Sequence, residues 1–263
     1  IQHLEVIPAQ PARYEELNVQ LSPPVEAILD DLGLDKLYRH QARAIKQVFA
    51  GKNVVVAAGT ASGKTLCYTL PLAHAIYEDP TTRAILVYPT KALAQDQLGK
   101  LSNFGAGQVF TANTYDGDTP PSQRRRIRQY AQVILTNPDM LHMAICPYHE
   151  SWADFFWHLK YVVLDEVHTY RGVFGSHTAN VLRRLRRIAQ YHGAQPQFIC
   201  SSATIGNPGE HCQRLVGLDF EVVSEDTSAR GRRFFVFWNP PLLEPDSGQR
   251  RSGNVEAAKL TVA

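Results

Sequence analysis

The sequence predicts a doubly wound α/β domain, a parallel sheet with helices on both faces. Two observations carry this. Short β-rich runs recur along the chain: NVVVAA (53–58), AILVY (84–88), QVFTA (108–112), QVILT (132–136), YVVLD (161–165) and QFICS (197–201). They are apolar at consecutive rather than alternate positions, which suits strands buried on both faces. Helix-like stretches at 63–78, 90–103, 120–130 and 174–192 separate them, and strands alternating with helices wind a parallel sheet.

Ahead of the first run, LSPPVEAILDDLGL reads as a helix opened by Ser22, with prolines in its first turn and a stop near Gly33. YRHQARAIKQVFAG reads as a second helix ending at Gly51. After position 218 the character changes. FEVVSEDTSARGRRFFVFWNPP reads as an isolated strand pair punctuated by Gly and Pro, with a linker near 224–232. The expected division is a helical segment over 1–45, the α/β domain over 46–223, and over 224–263 a linker and the start of another domain.

With 263 residues the chain has room for one large domain or one and part of another. Its 44% hydrophobic and 20% charged content is that of a globular protein with a full core, not a disordered one. A formal net charge of only +2 means that any nucleic-acid binding must come from local clusters. Cys67, Cys146, Cys200 and Cys212 form no Cys-x-x-Cys pair, which argues against a zinc ribbon or disulfide scaffold and suits a reducing, intracellular setting. No basic start with an apolar stretch and no run of about 18 apolar residues is present, so neither a signal peptide nor a membrane span is expected. The absent initiator Met suggests a trimmed chain.

Chemistry first surfaces in VVVAAGTASGKTL (54–66): an apolar strand, a small-residue loop, then Gly-Lys-Thr. A strand that feeds a loop of converging backbone N–H groups, and then a helix N-terminus, makes an anion site. Gly63 lets the backbone approach phosphate, Lys64 reaches the terminal phosphates, and the Thr65 hydroxyl suits Mg²⁺. The general pattern asks for glycine at position 58, where this chain has Ala58. A second apolar strand ends in adjacent carboxylates, Asp165 and Glu166, at the edge where open α/β sheets bind ligands. Asp165 suits Mg²⁺ held through water, and Glu166 suits deprotonation of an attacking water. A third strand runs into CSSATIGNP, whose Ser202 and Thr204 either relay hydrogen bonds to a second surface or cap the next helix.

In this order the motifs resemble the first RecA-like domain of a superfamily 2 DExH-box helicase, over roughly residues 20–240. AGTASGKT (58–65, with Gly59, Thr60, Ala61 and Ser62) is similar to its phosphate loop, where the first position is commonly Ala; DEVH to its Mg²⁺ and water motif; and SAT (Ser202, Ala203, Thr204) to its coupling motif. The resemblance implies ATP and Mg²⁺ as cofactors. It also implies that Gln41 reads the adenine edge, Tyr38 lies near the base, and His168 bridges toward the SAT hydroxyls. YPTKALAQDQ (88–97) resembles the strand-contacting motif, which assigns Pro89, Thr90 and Lys91 to nucleic acid, and TNPDML assigns Thr136 and Asn137. TYDGDTP (Asp116, Gly117, Asp118) and DEVHTYRGVFGSH (Arg171, His177) look most like the RecQ4-like group that includes the mitomycin repair factor helicases.

That likeness implies an ATP-driven DNA translocase, 3′-to-5′ in polarity and associated with DNA repair. Single-stranded or tailed DNA and a second RecA-like domain are its expected partners, with a cytoplasmic location that would be nucleoid-associated in a bacterium or nuclear in a eukaryote. FFVFWNPP looks like the first strand of that second domain, which in such helicases supplies arginine fingers, so half of an active site is expected here. An RNA helicase of the DEAD-box or Ski2-like kind shares the ATP motifs. A nucleotide-gated binding module without translocation is the reading from a different class.

Lesser signals have plain readings beside functional ones. Arg183, Arg184, Arg186 and Arg187, like RRRIR (124–128), suit a solvated helix face or a nucleic-acid contact. His142, Cys146 and His149 are read as ordinary residues because Pro147 breaks their spacing. WADFFWHL (152–159) is read as core packing.

Overall fold

The computed structural model describes residues 2–105, 109–240, 242–243 and 248–262. In chain order its elements are β1 (His3–Ile7), α1 (Pro23–Asp31), α2 (Arg39–Phe49), β2 (Val54–Ala57), α3 (Leu66–Glu78), β3 (Arg83–Val87), α4 (Lys91–Asn103), β4 (Ala112–Thr114), α5 (Pro121–Tyr130), β5 (Val133–Thr136), α6 (Pro138–Met140), α7 (Ala153–Trp157), β6 (Leu159–Leu164), α8 (Gly172–Tyr191), β7 (Gln197–Ser202), α9 (Pro208–Val216), β8 (Glu221–Val223), β9 (Arg233–Phe237) and α10 (Gly253–Val262). The chain divides into a larger unit, Arg13–Thr227, and a smaller one formed by Ile1–Ala12 with Ser228–Ala263.

The larger unit is built on a parallel sheet of order β4-β5-β3-β6-β7-β2-β8. Alternate strand residues enter two separate cores. Val54, Val56, Ala84, Leu86 and Val163 pack on the face covered by α1 to α4. Val55, Ile85, Val87, Val162 and Leu164 pack on the face covered by α5, α7, α8 and α9. Burial on both faces is why these strands are apolar at every position, and it confirms the doubly wound class.

Three strands differ from expectation. Of the run 108–112, Gln108 lies outside the described residues, and the strand itself is Ala112–Thr114, because pairing with β5 begins at Ala112↔Val133. Phe110 is buried in the core beside α4 instead. The expected strand pair after 218 does not form as a pair: β8 adds to the main sheet beside β2, and β9 pairs antiparallel with β1 from His3↔Phe237 to Ile7↔Arg233. The N-terminal stretch, read as helical, thus also holds a strand. All ten residues of the β1–β9 ribbon are exposed. Among the described residues no helix is long and apolar enough to cross a membrane.

Candidate nucleotide site and strand-end motifs

Strand order assembles the site. β6, β7 and β2 are neighbours, so the loops carrying DEVH, SAT and AGTASGKT leave the sheet side by side at its C-terminal edge. YPTK and TNPD follow β3 and β5, the next strands along, and TYDGD follows β4. The candidate nucleotide motifs therefore follow β6, β7 and β2, and the candidate nucleic-acid motifs follow β3, β5 and β4, except that Arg171 and His177 come after β6.

Ala58 is buried in the core and its N–H donates to Ser202 O at 3.3 Å, so the methyl group packs where it obstructs nothing. The loop then takes positive φ at Ala61 (60°) and Gly63 (76°). A side chain at Gly63 would run into the Gln41 amide, whose Nε2 donates to Gly63 O at 3.0 Å. Gln41 Oε1 accepts Tyr38 N–H at 2.9 Å, fixing the start of α2. The Tyr38 ring stacks between Tyr14 and His40. Lys64 Nζ donates to Ala58 O (2.9 Å) and Gly59 O (2.7 Å), lying back on its own loop, while Ser62 Oγ also donates to Gly59 O. Thr65 has helical dihedrals and opens α3.

Asp165 is 7% exposed and well supplied with donors. Its Oδ1 accepts Glu166 N–H at 2.9 Å and the Ser201 hydroxyl; its Oδ2 accepts the Tyr68 hydroxyl at 3.3 Å. Tyr88 lies 3.5 Å from Tyr68, oxygen to oxygen. Burial, reinforced by the nearby Asp165 charge, pushes the Tyr68, Tyr88 and Tyr170 phenols well above their ordinary range, so all three remain neutral hydroxyls. The Tyr170 hydroxyl and Ser202 Oγ are buried with no hydrogen-bond partner among the described residues.

Glu166 takes φ 51°, a left-handed conformation costly for a side chain with a Cβ. Its Oε2 lies 3.2 Å from His168 Nδ1, the same atom that accepts Ala203 N–H at 3.3 Å. His168 therefore reaches the SAT backbone rather than the expected hydroxyls, because the amide is the group that faces it. Nδ1 serves Ala203 only without a proton and Glu166 only with one. Thr204 is exposed.

The nucleic-acid candidates divide in two. Lys91 and Asp118 form an exposed ion pair at 2.6 Å, an arrangement of little worth to stability. Arg171 is exposed ahead of α8, and His177 lines a cavity of about 420 Å³ with Asp139, His142 and Arg184. Gly117 has open space where a Cβ would stand, and Pro89 is half-buried. The others use their side chains internally. Thr90 Oγ1 caps α4 at Leu93 N, Asn137 Oδ1 caps α6 at Met140 N, the Thr136 hydroxyl donates to Tyr115 O at 2.7 Å, and buried Asp116 accepts Asp118 N–H.

Three arginines of the basic runs are likewise tied down. Arg183 and Arg186 donate to Arg214 O, Val216 O and Gly217 O at the end of α9, and Arg124 donates to Thr119 O and Asp116 O. No metal-binding group of three His, Cys, Asp or Glu exists among the described residues. Trp152, Phe155 and Phe156 are core residues as read, but Trp157 is exposed.

Sequence reasoning missed His40, Asp226 and Thr227. Asp226 Oδ2 accepts Gly59 N–H at 2.8 Å, and His40 lies between Thr227 and Ser62 O. Burial lowers the His40 pKa below its ordinary value, opposed by the Ser62 carbonyl and the Asp226 and Glu225 charges and assisted by Lys64. A depressed imidazole contributes stability that is complete above the unfolded value and lost as pH falls through the folded one. The denaturant midpoint is thus expected to fall between about pH 7.5 and 5.5, and to fall less in His40→Gln; equal falls in both proteins would refute the assignment.

The DEAD/DEAH box helicase family matches residues 38–211, and the chain belongs to that family. Among its relatives it is 48% identical over 238 residues to the uncharacterized ATP-dependent helicase YprA of Bacillus subtilis, covering 90% of this chain and 32% of that one. It is 40% identical over 269 residues to the ATP-dependent helicase HRQ1 of Saccharomyces cerevisiae, covering 100% and 25%. The crystal structure of the DUF1998 helicase MrfA bound to DNA and AMPPNP is similar at a TM-score of 0.91 and 44% identity, covering 98% of this chain and 36% of that one. The chain thus spans a quarter to about a third of the length of these relatives.

Proposed function

We propose that residues 46–223, within the larger unit, are the ATP-binding motor domain of a DNA helicase or translocase, 3′-to-5′ in direction and used in DNA repair. One observation carries the reading: the phosphate loop, the paired carboxylates and the SAT turn leave adjacent parallel strands. The relative seen with both DNA and AMPPNP supports the choice of ligands.

The residues present fit Mg²⁺ and ATP. Their donor set is hard oxygen, Thr65 and Asp165, and the unpartnered hydroxyls of Tyr170 and Ser202 call for a polar neighbour. When bound, Mg²⁺–ATP supplies the phosphoryl group and the cation that offsets its charge. Gly59, Thr60, Ala61, Ser62 and Gly63 shape the loop, Lys64 would give up the loop carbonyls for phosphate oxygens, the Thr65 hydroxyl would ligate Mg²⁺, and Asp165 would hold it through water. Glu166 takes the proton of the attacking water. Tyr38 and Gln41 border the adenine, although Gln41 also holds the loop at Gly63.

Pro89, Thr90, Lys91, Asp116, Gly117, Asp118, Thr136, Asn137, Arg171 and His177 form the nucleic-acid edge, contacting mainly backbone, so binding weakens with salt. His168, Ser202, Ala203 and Thr204 join the two halves. Residues 1–45 lead into the motor domain at 46–223, and 224–263 hold the linker and the start of a second RecA-like domain with β9 as its first strand. Charge-stabilising groups from that domain, worth about 10³–10⁵ in rate, complete the active site. A cytoplasmic, DNA-associated location follows from this role.

The test is ATP turnover by the full-length parent protein with DNA or RNA strands of one sequence. Stimulation by DNA is expected; stimulation by RNA alone would make it an RNA helicase, and indifference to both would leave a nucleotide-gated module. Lys64→Ala removes charge-assisted hydrogen bonds and is expected to weaken ATP binding about ten- to hundredfold, measured by titration with a fluorescent ATP analogue.

A further inference from the structure

The larger unit ends at Thr227, and of its last two residues one is bonded to the phosphate loop and the other to a histidine that is bonded to it. Asp226 accepts Gly59 N–H directly. Thr227 acts through His40, whose Nδ1 lies 2.8 Å from the Thr227 hydroxyl and 3.3 Å from Thr227 N, and whose Nε2 lies 3.0 Å from Ser62 O. A backbone N–H only donates, so Nδ1 accepts, and the proton sits on Nε2, which donates to Ser62. Thr227 Oγ1 in turn accepts His40 N–H at 3.1 Å. His40, Ser62 and Thr227 are 1%, 1% and 0% exposed. A buried relay with every donor and acceptor role consistent is rigid.

Gly59 links this relay to Lys64. The Gly59 carbonyl accepts Lys64 Nζ while its N–H donates to Asp226. Drawing Lys64 away toward an anion frees the carbonyl side of this residue and brings negative charge toward the Asp226 carboxylate, which like charge disfavours.

We propose that Asp226 and Thr227 form a strap that senses the state of the phosphate loop, with His40 as the positioning residue that passes this state to the segment where the chain leaves the larger unit. The inference rests on the nucleotide reading above. Binding of a nucleotide loosens the strap at Asp226, and the His40 relay carries the change to Thr227.

The test is amide hydrogen–deuterium exchange over residues 224–230, with and without a non-hydrolysable ATP analogue and Mg²⁺, in wild type, Thr227→Ser and Thr227→Val. Binding is read separately by anisotropy of a fluorescent ATP analogue. Wild type and Thr227→Ser, which keeps the hydroxyl, are expected to exchange about three- to tenfold faster with the analogue bound, the range of one net hydrogen bond. Thr227→Val is expected to exchange fast in both states while its affinity stays within about threefold. Asp226→Asn keeps an acceptor for Gly59 but removes the charge, and covers the case in which Thr227→Val fails to fold. Its affinity for the labelled analogue is expected to rise by up to about fivefold. Unchanged or slower exchange in wild type with the analogue bound, a nucleotide response retained in Thr227→Val, or no gain in Asp226→Asn would overturn the strap alone. Failure of wild type to bind the analogue would overturn the nucleotide reading and the strap with it.

Discussion

Glu166→Gln is expected to lower nucleic-acid-stimulated ATP hydrolysis of the full-length parent about 10²–10⁴-fold, the range of a general base, with nucleotide affinity nearly unchanged. Glutamine has the same shape and tolerates the same backbone, so the left-handed conformation at position 166 and the Glu166 N–H to Asp165 bond survive. What disappears is a carboxylate able to take a proton, together with the charge facing His168 Nδ1 at 3.2 Å. His168 then keeps only its Ala203 acceptor role. Single-turnover kinetics with labelled ATP, alongside a binding titration, checks this; a loss of affinity equal to the loss of rate would mean that Glu166 holds nucleotide instead.

Gly175→Ala is expected to destabilise the protein by about 1–3 kcal/mol or more through overpacking. A Cβ there would overlap the carbonyl of Tyr170, and backbone cannot swing aside as a side-chain tip can. Gly175 N–H also donates to Arg171 O at 3.0 Å, so the start of α8 is tied closely to the chain that follows the carboxylates. Gly99→Ala is the control. Gly99 lies inside α4 with open space around it, and alanine there is expected to be neutral or stabilising by about 0.5–1 kcal/mol. Urea denaturation of both variants measures the contrast, and equal midpoints would sink the packing argument.

The alternating strands and helices were legible because burial on both faces leaves a local mark. Val54 to Val56 and Ala84 to Val87 are uniformly apolar, and both faces are indeed covered. β1 was not legible: HLEVI mixes polar and apolar residues, and its partner Arg233–Phe237 lies far along the chain. β8 was seen as a strand, but its place beside β2 depends on the sheet edge left after the other strands have paired.

At the site, the loop residues Gly63, Lys64 and Thr65 and the pair Asp165–Glu166 stood out because phosphate and metal chemistry limits the residue types that serve. The tyrosines around Asp165 did not, since Tyr68, Tyr88 and Tyr170 have the pattern of ordinary core residues. Thr136 and Asn137 show the opposite case. The motif's resemblance assigned them to nucleic acid, and nothing in it announced the structural bonds they make here, the Thr136 hydroxyl to Tyr115 O and the Asn137 side chain as a helix cap.

The sequence by itself determined most of the alternating strands and helices of the main sheet and the residue types at its strand ends, since strand burial, helix breakers and phosphate-loop geometry are imposed within a few residues. Only the tertiary structure decided which loops meet. Strand order brought the ends of β2, β6 and β7 together, and 187 positions separate His40 from the Thr227 hydroxyl it meets. Such pairings depend on which surfaces remain unburied once the sheet is complete, and no local pattern encodes that.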